Sequence, residues 1–170
     1  MRKLIILILS TILAGLSFVS VNAQGFPWGD FKSRTLKDIV NSDAKEIEDS
    51  MKRTSLIVHG DLLFSVVRVK YTGKNRQISS VKKELLQNWG KMFGQTDKYL
   101  ANYETDYLFT ESGVEYWLPV QKKVSAYFPK ELKEGDDLNI YLVRVGGVCI
   151  KKECDWLFLV EEFQKPKNTN

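Results

Sequence analysis

Few side chains in this chain could carry out chemistry. It holds one histidine, His59, and two cysteines, Cys149 and Cys154. Acyl transfer needs a nucleophile, a base and a group that orients the base. His59 lies inside an apolar run and is followed by Gly60, and no G-x-S-x-G turn is present. It reads as a structural histidine. Two cysteines and one histidine cannot fill a Cys/His zinc site of four ligands, so no metal is expected. The spacing of a calcium loop is missing too. Gly146-Gly147 lies between strand-like runs with no helix after it, so it lacks the helix N-terminus that would bind a phosphate, and no cofactor is expected.

Two carboxylates could run hydrolysis by acid–base chemistry. Glu104, Asp106, Glu111, Glu115, Glu161 and Glu162 are all available, and nothing singles out a pair. Glu161 and Glu162 are neighbours on a strand and point to opposite faces. Asp136-Asp137 follows Gly135 in a turn, where Asp is common for turn reasons. No catalytic residue is therefore assigned. A more distinctive set is cationic and aromatic. Arg68, Lys70, Lys74 and Arg76 cluster at the end of a long strand and its loop, and Tyr107, Tyr116 and Trp117 would add stacking surface if they face outward. This set reads as the ligand face, for an anionic ligand. Lys82-Lys83, Lys122-Lys123 and Lys151-Lys152 are short pairs that read as solvated surface.

The start of the chain sets the compartment. Arg2 and Lys3 precede an apolar run from Leu4 to Phe18, and Val21-Asn22-Ala23 supplies small or medium residues before Gln24. That is the pattern of a cleavable signal peptide over residues 1–23. The apolar run is shorter than the roughly 20 residues of a spanning helix, and no later segment is apolar enough to span. The exported chain, periplasmic or extracellular, would be residues 24–170, of single-domain length. The full chain carries a formal net charge of +4, and removing Arg2 and Lys3 leaves +2. Global charge thus gives no case for nucleic acid or membrane surfaces. Export also permits oxidation, and Cys149 and Cys154, flanked by strand patterns, are expected to bond across a hairpin mouth.

The elements that must position these residues follow from periodicity. Residues 24–33 read as an irregular arm with Phe26, Trp28 and Phe31. Thr35 to Lys52 reads as a helix with Leu36, Ile39, Val40, Ala44, Ile47 and Met51 on one stripe. Leu56 to Tyr71 is a long strand bent at His59-Gly60-Asp61, and Thr72 to Arg76 reads as a loop. Helices follow from Ser80 to Phe93 and after Thr96. Tyr107-Leu108-Phe109 and Val114 to Val120 form a hairpin. Gln121 to Leu132 is a helix broken or kinked at Pro129. Leu138 to Val145 and Trp156 to Phe163 are strands joined through Gly146-Gly147 and Cys149 to Asp155, and 165–170 is a polar tail.

With the helical pair taken as an insertion after the first strand, five strands remain, with a helix between the third and fourth. This resembles the element order of the OB-fold, a five-stranded antiparallel barrel, here with an N-terminal helix. The alternative is an α+β antiparallel sheet with helices on one face. The function expected is a small exported, non-catalytic binding or interaction domain. The alternatives are a small secreted hydrolase using a carboxylate pair, and an accessory subunit of an envelope assembly, whose partner would be an envelope protein. Export is expected to remove Met1–Ala23. Intact-mass analysis of the secreted protein then reads a chain that begins at Gln24, and a membrane-bound form that keeps Met1 would overturn the assignment.

Overall fold

The computed structural model of the chain describes residues 26–46, 55–150 and 153–166. The signal-type stretch 1–23, the positions Ile47 and Met51 of the expected first helix, the Lys151-Lys152 pair and residues 167–170 lie outside the described residues. The arm read as irregular carries a 3-10 turn at Trp28–Asp30 and a two-residue strand, β1 (Lys32–Ser33). Aromatic packing explains its order: Phe26, Trp28 and Phe31 close edge-on to Tyr141, with centroids 5.6, 4.6 and 5.4 Å away. Helix α1 (Leu36–Glu46) follows and buries Leu36 and Ile39. Its first turn is capped from a distance. The two carboxylate oxygens of Glu111 accept from the backbone N–H of Leu36 and Lys37 at 2.9 and 3.0 Å.

The long first β run is two strands, β2 (Ser55–Val58) and β3 (Phe64–Gln77). Thr72 to Arg76 stays in β3 instead of forming a loop, because a bulge between Tyr71 and Asn75, with Gly73 at φ 76°, absorbs the extra residues. Helices α2 (Ser80–Met92) and α3 (Asp97–Leu100) take Ser79 and Thr96 as caps. Strands β4 (Thr105–Glu111) and β5 (Val114–Pro119) form a hairpin whose turn, Ser112-Gly113, has φ 51° and 83°. Positive φ at both positions is the geometry that suits strand twist. The expected kinked helix is two single turns, α4 (Lys122–Ser125) and α5 (Phe128–Glu131), with Pro129 in the first turn of the second. A long hairpin ends the chain: β6 (Asp137–Ile150) and β7 (Glu153–Gln164).

These strands make a mostly antiparallel sheet of seven strands with a few helices. Strand β6 is shared by most of it. One edge pairs with β3 along Asp137–Val143 and with β2 along Gly146–Cys149, and the other edge pairs with β7. From β3 the sheet passes to β4 and then β5. Between β5 and β7 the only bridge among the described residues is Val120↔Val160, so the sheet is not closed along that seam. Cys149 and Cys154 are bonded and stand opposite each other in the β6–β7 register. So short a loop constrains the unfolded chain modestly, by about 2 kcal/mol.

Both faces of β6 and β7 are covered. On one face Val67, Val69, Leu138, Ile140, Leu142, Phe158 and Val160 pack with Leu36 and Ile39 of α1 and with Val124 and Phe128. On the other, Leu85, Leu86 and Trp89 of α2 pack on Val143, Val145, Leu157 and Leu159. Gly146-Gly147, read from sequence as a connection, lies inside β6. A Cβ at Gly146 would stand 1.8 Å from the Ile57 carbonyl oxygen, and one at Gly147 would stand 2.8 Å from the Trp156 ring. The glycines mark close approach within the sheet, not its end. Gly146→Ala is therefore expected to lower stability in chemical denaturation by about 2–3 kcal/mol. Gly29→Ala, where nothing stands within 4 Å of the new Cβ, is expected to shift it by less than ~0.5 kcal/mol.

Candidate functional site: the Trp117 groove

The β3 bulge decides where the cationic residues go. Before it, Arg68 and Lys70 project from the exposed face of β3 and share one carboxylate, Asp137, at 3.2 and 3.0 Å. They border a cavity of about 640 Å³ whose walls include Arg34, Asp38 and Glu111. Lys74 is exposed at the bulge itself. Past the bulge, Arg76 stands with its guanidinium 4.3 Å from the Trp117 ring centroid and bonds Asp106 at 3.2 Å and Asp155 at 3.3 Å. Tyr107 packs edge-on to Phe128 at 5.0 Å, and both Tyr107 and Tyr116 are partly buried against the core. The structure thus unites Arg76 with Trp117, keeps Arg68 with Lys70, and turns both tyrosines coreward.

Trp117 divides two depressions. On one side lies a groove of about 430 Å³ between the start of α2 and the β6–β7 hairpin, lined by Arg76, Val81, Trp117, Val148, Ile150 and Asp155, among others. Val81 and Ile150 are 41% and 53% exposed there. On the other side a cavity of about 260 Å³ runs along the β5–β7 seam, lined by residues 114–118 and 154–156 with Val40 of α1.

Behind the groove, Lys82 corrects the sequence reading. Read as solvated surface, it is 0% exposed. Its ammonium donates to Asp155 at 2.8 Å, to the Trp117 carbonyl at 2.9 Å and to Asp106 at 3.3 Å. Three acceptors supplied by β4, β5 and β7 make burial of the charge tolerable. Burial pushes the Asp106 carboxyl above the usual carboxylate range, and Lys82 and Arg76 pull it only part of the way back. With the folded-state pKa raised, ionisation of Asp106 takes stability away as pH rises through it.

Two further polar clusters escaped sequence reasoning. Glu161 is the extra residue of a bulge in β7. Its Oε1 accepts from the hydroxyls of Tyr99, at 2.5 Å, and Tyr103, and its Oε2 accepts from the Gln121 amide at 3.1 Å. Burial, then the Glu161 charge, pushes both phenols well above their ordinary range. Arg144 bonds Asp43, and bonds both oxygens of Asp61 at 2.7 and 2.9 Å. His59 Nε2 stands 3.1 Å from the other Asp43 oxygen. Each cluster ties distant segments together, so no local pattern in the sequence announced either of them.

Among the described residues no group of three or more His, Cys, Asp and Glu is placed to hold a metal ion, and no helix is long and apolar enough to cross a membrane. No protein-family model matches the chain, and no curated protein matches it. The charge network behind the groove gives a direct test. Lys82→Met, which leaves Asp106 buried with less compensation, is expected to cost about 3 kcal/mol in denaturant unfolding. Lys82→Met combined with Asp106→Leu is expected to recover most of that loss and to flatten the fall in stability through the Asp106 titration. An additive double variant would show that the two groups are not coupled.

Proposed function

We propose that this chain is an exported, non-catalytic binding domain on an OB-like barrel, and that its ligand occupies the groove at Trp117. Several features support the architecture. β2 and β3 together act as one bent first strand, α2–α3 are inserted after it, and α4–α5 fall between the third and fourth long strands. The parallel bridge Val120↔Val160 joins the third long strand's end to the fifth, where such a barrel closes. The signal-type start and the Cys149–Cys154 bond support export.

One observation carries the choice of face. The groove lies between the segment after the first long strand and the last hairpin, across the third long strand, which is where OB barrels take ligands. It joins an aromatic ring, a guanidinium and exposed apolar side chains. The charged clusters described above are buried or internally paired, which suits cohesion more than turnover. A second reading, an anionic ligand at Arg68 and Lys70, draws on the two cations sharing one carboxylate beside the 640 Å³ cavity.

Photoreactive residues placed singly at Ile150, Lys70 and Tyr127 in the full chain, crosslinked in the native envelope, separate these readings. Tyr127 is exposed and lines neither cavity. Adducts from Ile150 are the expected result, and adducts from Lys70 alone would move the ligand face to the second reading. Equal labelling at Tyr127, or no adduct at any position, would overturn both.

A further inference from the structure

Four charged side chains behind the Trp117 groove form a closed ring. Arg76 bonds Asp106 at 3.2 Å and Asp155 at 3.3 Å, and Lys82 bonds the same two carboxylates at 3.3 and 2.8 Å. Each of the four comes from a different element, β3, α2, β4 or β7. The ring is balanced only while both carboxylates are ionised. Strand β5 adds the Trp117 carbonyl, which accepts from Lys82 at 2.9 Å. Two exposed carboxylates stand further out, Glu153 on the groove and Glu115 on the seam cavity. Lys151 and Lys152, between Ile150 and Glu153 in the sequence, lie outside the described residues.

The two carboxylates of the ring differ. Asp106 is 0% exposed and Asp155 is 45% exposed. Both cations use one oxygen of Asp106, Oδ2, and among the described residues its Oδ1 is buried with no hydrogen-bond donor. A proton on Oδ1 therefore breaks no hydrogen bond, yet it removes the charge that Oδ2 offers to both cations. Burial favours that neutral form, and Lys82 and Arg76 oppose it only in part.

The two cations differ as well. Lys82 is 0% exposed, and its two shorter bonds, to Asp155 and the Trp117 carbonyl, do not involve Asp106. Arg76 is 43% exposed, with its guanidinium 4.3 Å from the Trp117 ring centroid. Without the charge on Asp106, Arg76 keeps only a half-exposed pair with Asp155 and the contact with the ring, both weak in water. Leaving them returns rotamer freedom to a long side chain.

We infer that Asp106 is a proton-operated catch on the groove: when it takes a proton, Lys82 stays and Arg76 swings off Trp117 into solvent. The ring is covered while Asp106 is ionised and bare once it is not. This goes beyond the reading of the groove as a ligand face and needs no ligand, so either can fail without the other.

The test labels the full mature chain with 5-fluorotryptophan, with the Trp117 signal assigned by its loss in Trp117→Phe. The pH is lowered from neutral over the range in which near-ultraviolet circular dichroism stays constant. The fluorine signal of Trp117 is expected to shift with one midpoint, shared with the carboxyl carbon of Asp106 and above the ordinary aspartate range. Arg76→Gln, an exposed change, is expected to abolish the Trp117 shift while Asp106 still titrates. Asp106→Asn is expected to hold the signal at its acid position throughout. Asp155→Asn, and Lys151→Gln with Lys152→Gln, are each expected to leave a shift that follows Asp106. A Trp117 signal that stays still while Asp106 titrates would overturn the inference. So would an Asp106 that does not titrate while the chain is folded, a shift that survives Arg76→Gln or Asp106→Asn, or one that vanishes with Asp155 or the two lysines. Should Asp106→Asn fail to fold, Arg76→Gln decides alone.

Discussion

The fold depends on the double burial of β6. This strand pairs along both edges and packs along both faces. A strand in that position has no solvated side on which to place a charge. Its sequence accordingly runs apolar almost from Leu138 to Cys149, and the single charged side chain in that stretch, Arg144, is neutralised by Asp43 and Asp61. Where the neighbours come closest, at Ile57 and Trp156, only glycine fits. The strands β2, β3 and β7 take their register from β6, and α1 and α2 settle on the two faces that the register creates.

The polar clusters act where apolar packing gives the least direction. Hydrophobic contact fixes that α2 covers β6 and β7 but sets its position along the strands only loosely. Lys82, reaching acceptors from three strands, sets that position more tightly. Glu161 does the same for the tyrosines at α3, and Asp43 for α1. Buried ionic groups of this kind are costly, and removing one partner costs more still, because it leaves a buried charge uncompensated. In this chain each one joins a helix to the sheet.

Much of this was legible in the residues. Apolar and β-rich runs marked the long strands, Thr96 marked one helix start, Glu111-Ser112-Gly113 marked the hairpin, and the cysteine spacing marked the disulfide. The extent of β6 was obscured because glycine signals a break when only local geometry is considered, whereas here tight strand packing demanded it. The strand character of Thr72 to Arg76 was hidden for a related reason: a bulge tolerates polar and glycine residues that a regular ladder does not. The site was legible in part. Arg76 and Trp117 were singled out, but their stacking depends on the bulge that separates Arg76 from Arg68 and Lys70. The burial of Lys82 had no local sign, since its acceptors come from segments far along the chain.

Glu111 carries a consequence for the order in which the molecule assembles. An isolated helix the length of α1 is marginal in water, because nucleation costs more than so few turns return. Here Thr35 caps the Asp38 N–H locally, but the N–H groups of Leu36 and Lys37 are met by a carboxylate 75 and 74 positions later in the chain, at the tip of the β4–β5 hairpin. That acceptor is not in place until the hairpin has formed and docked on β3. Helix α1 therefore lies early in the sequence yet gains its Glu111 cap late in folding. Helix α1 waits for the middle of the chain, and a polypeptide emerging from synthesis amino end first would hold this amphipathic segment without its Glu111 cap until residues beyond Glu111 had followed it.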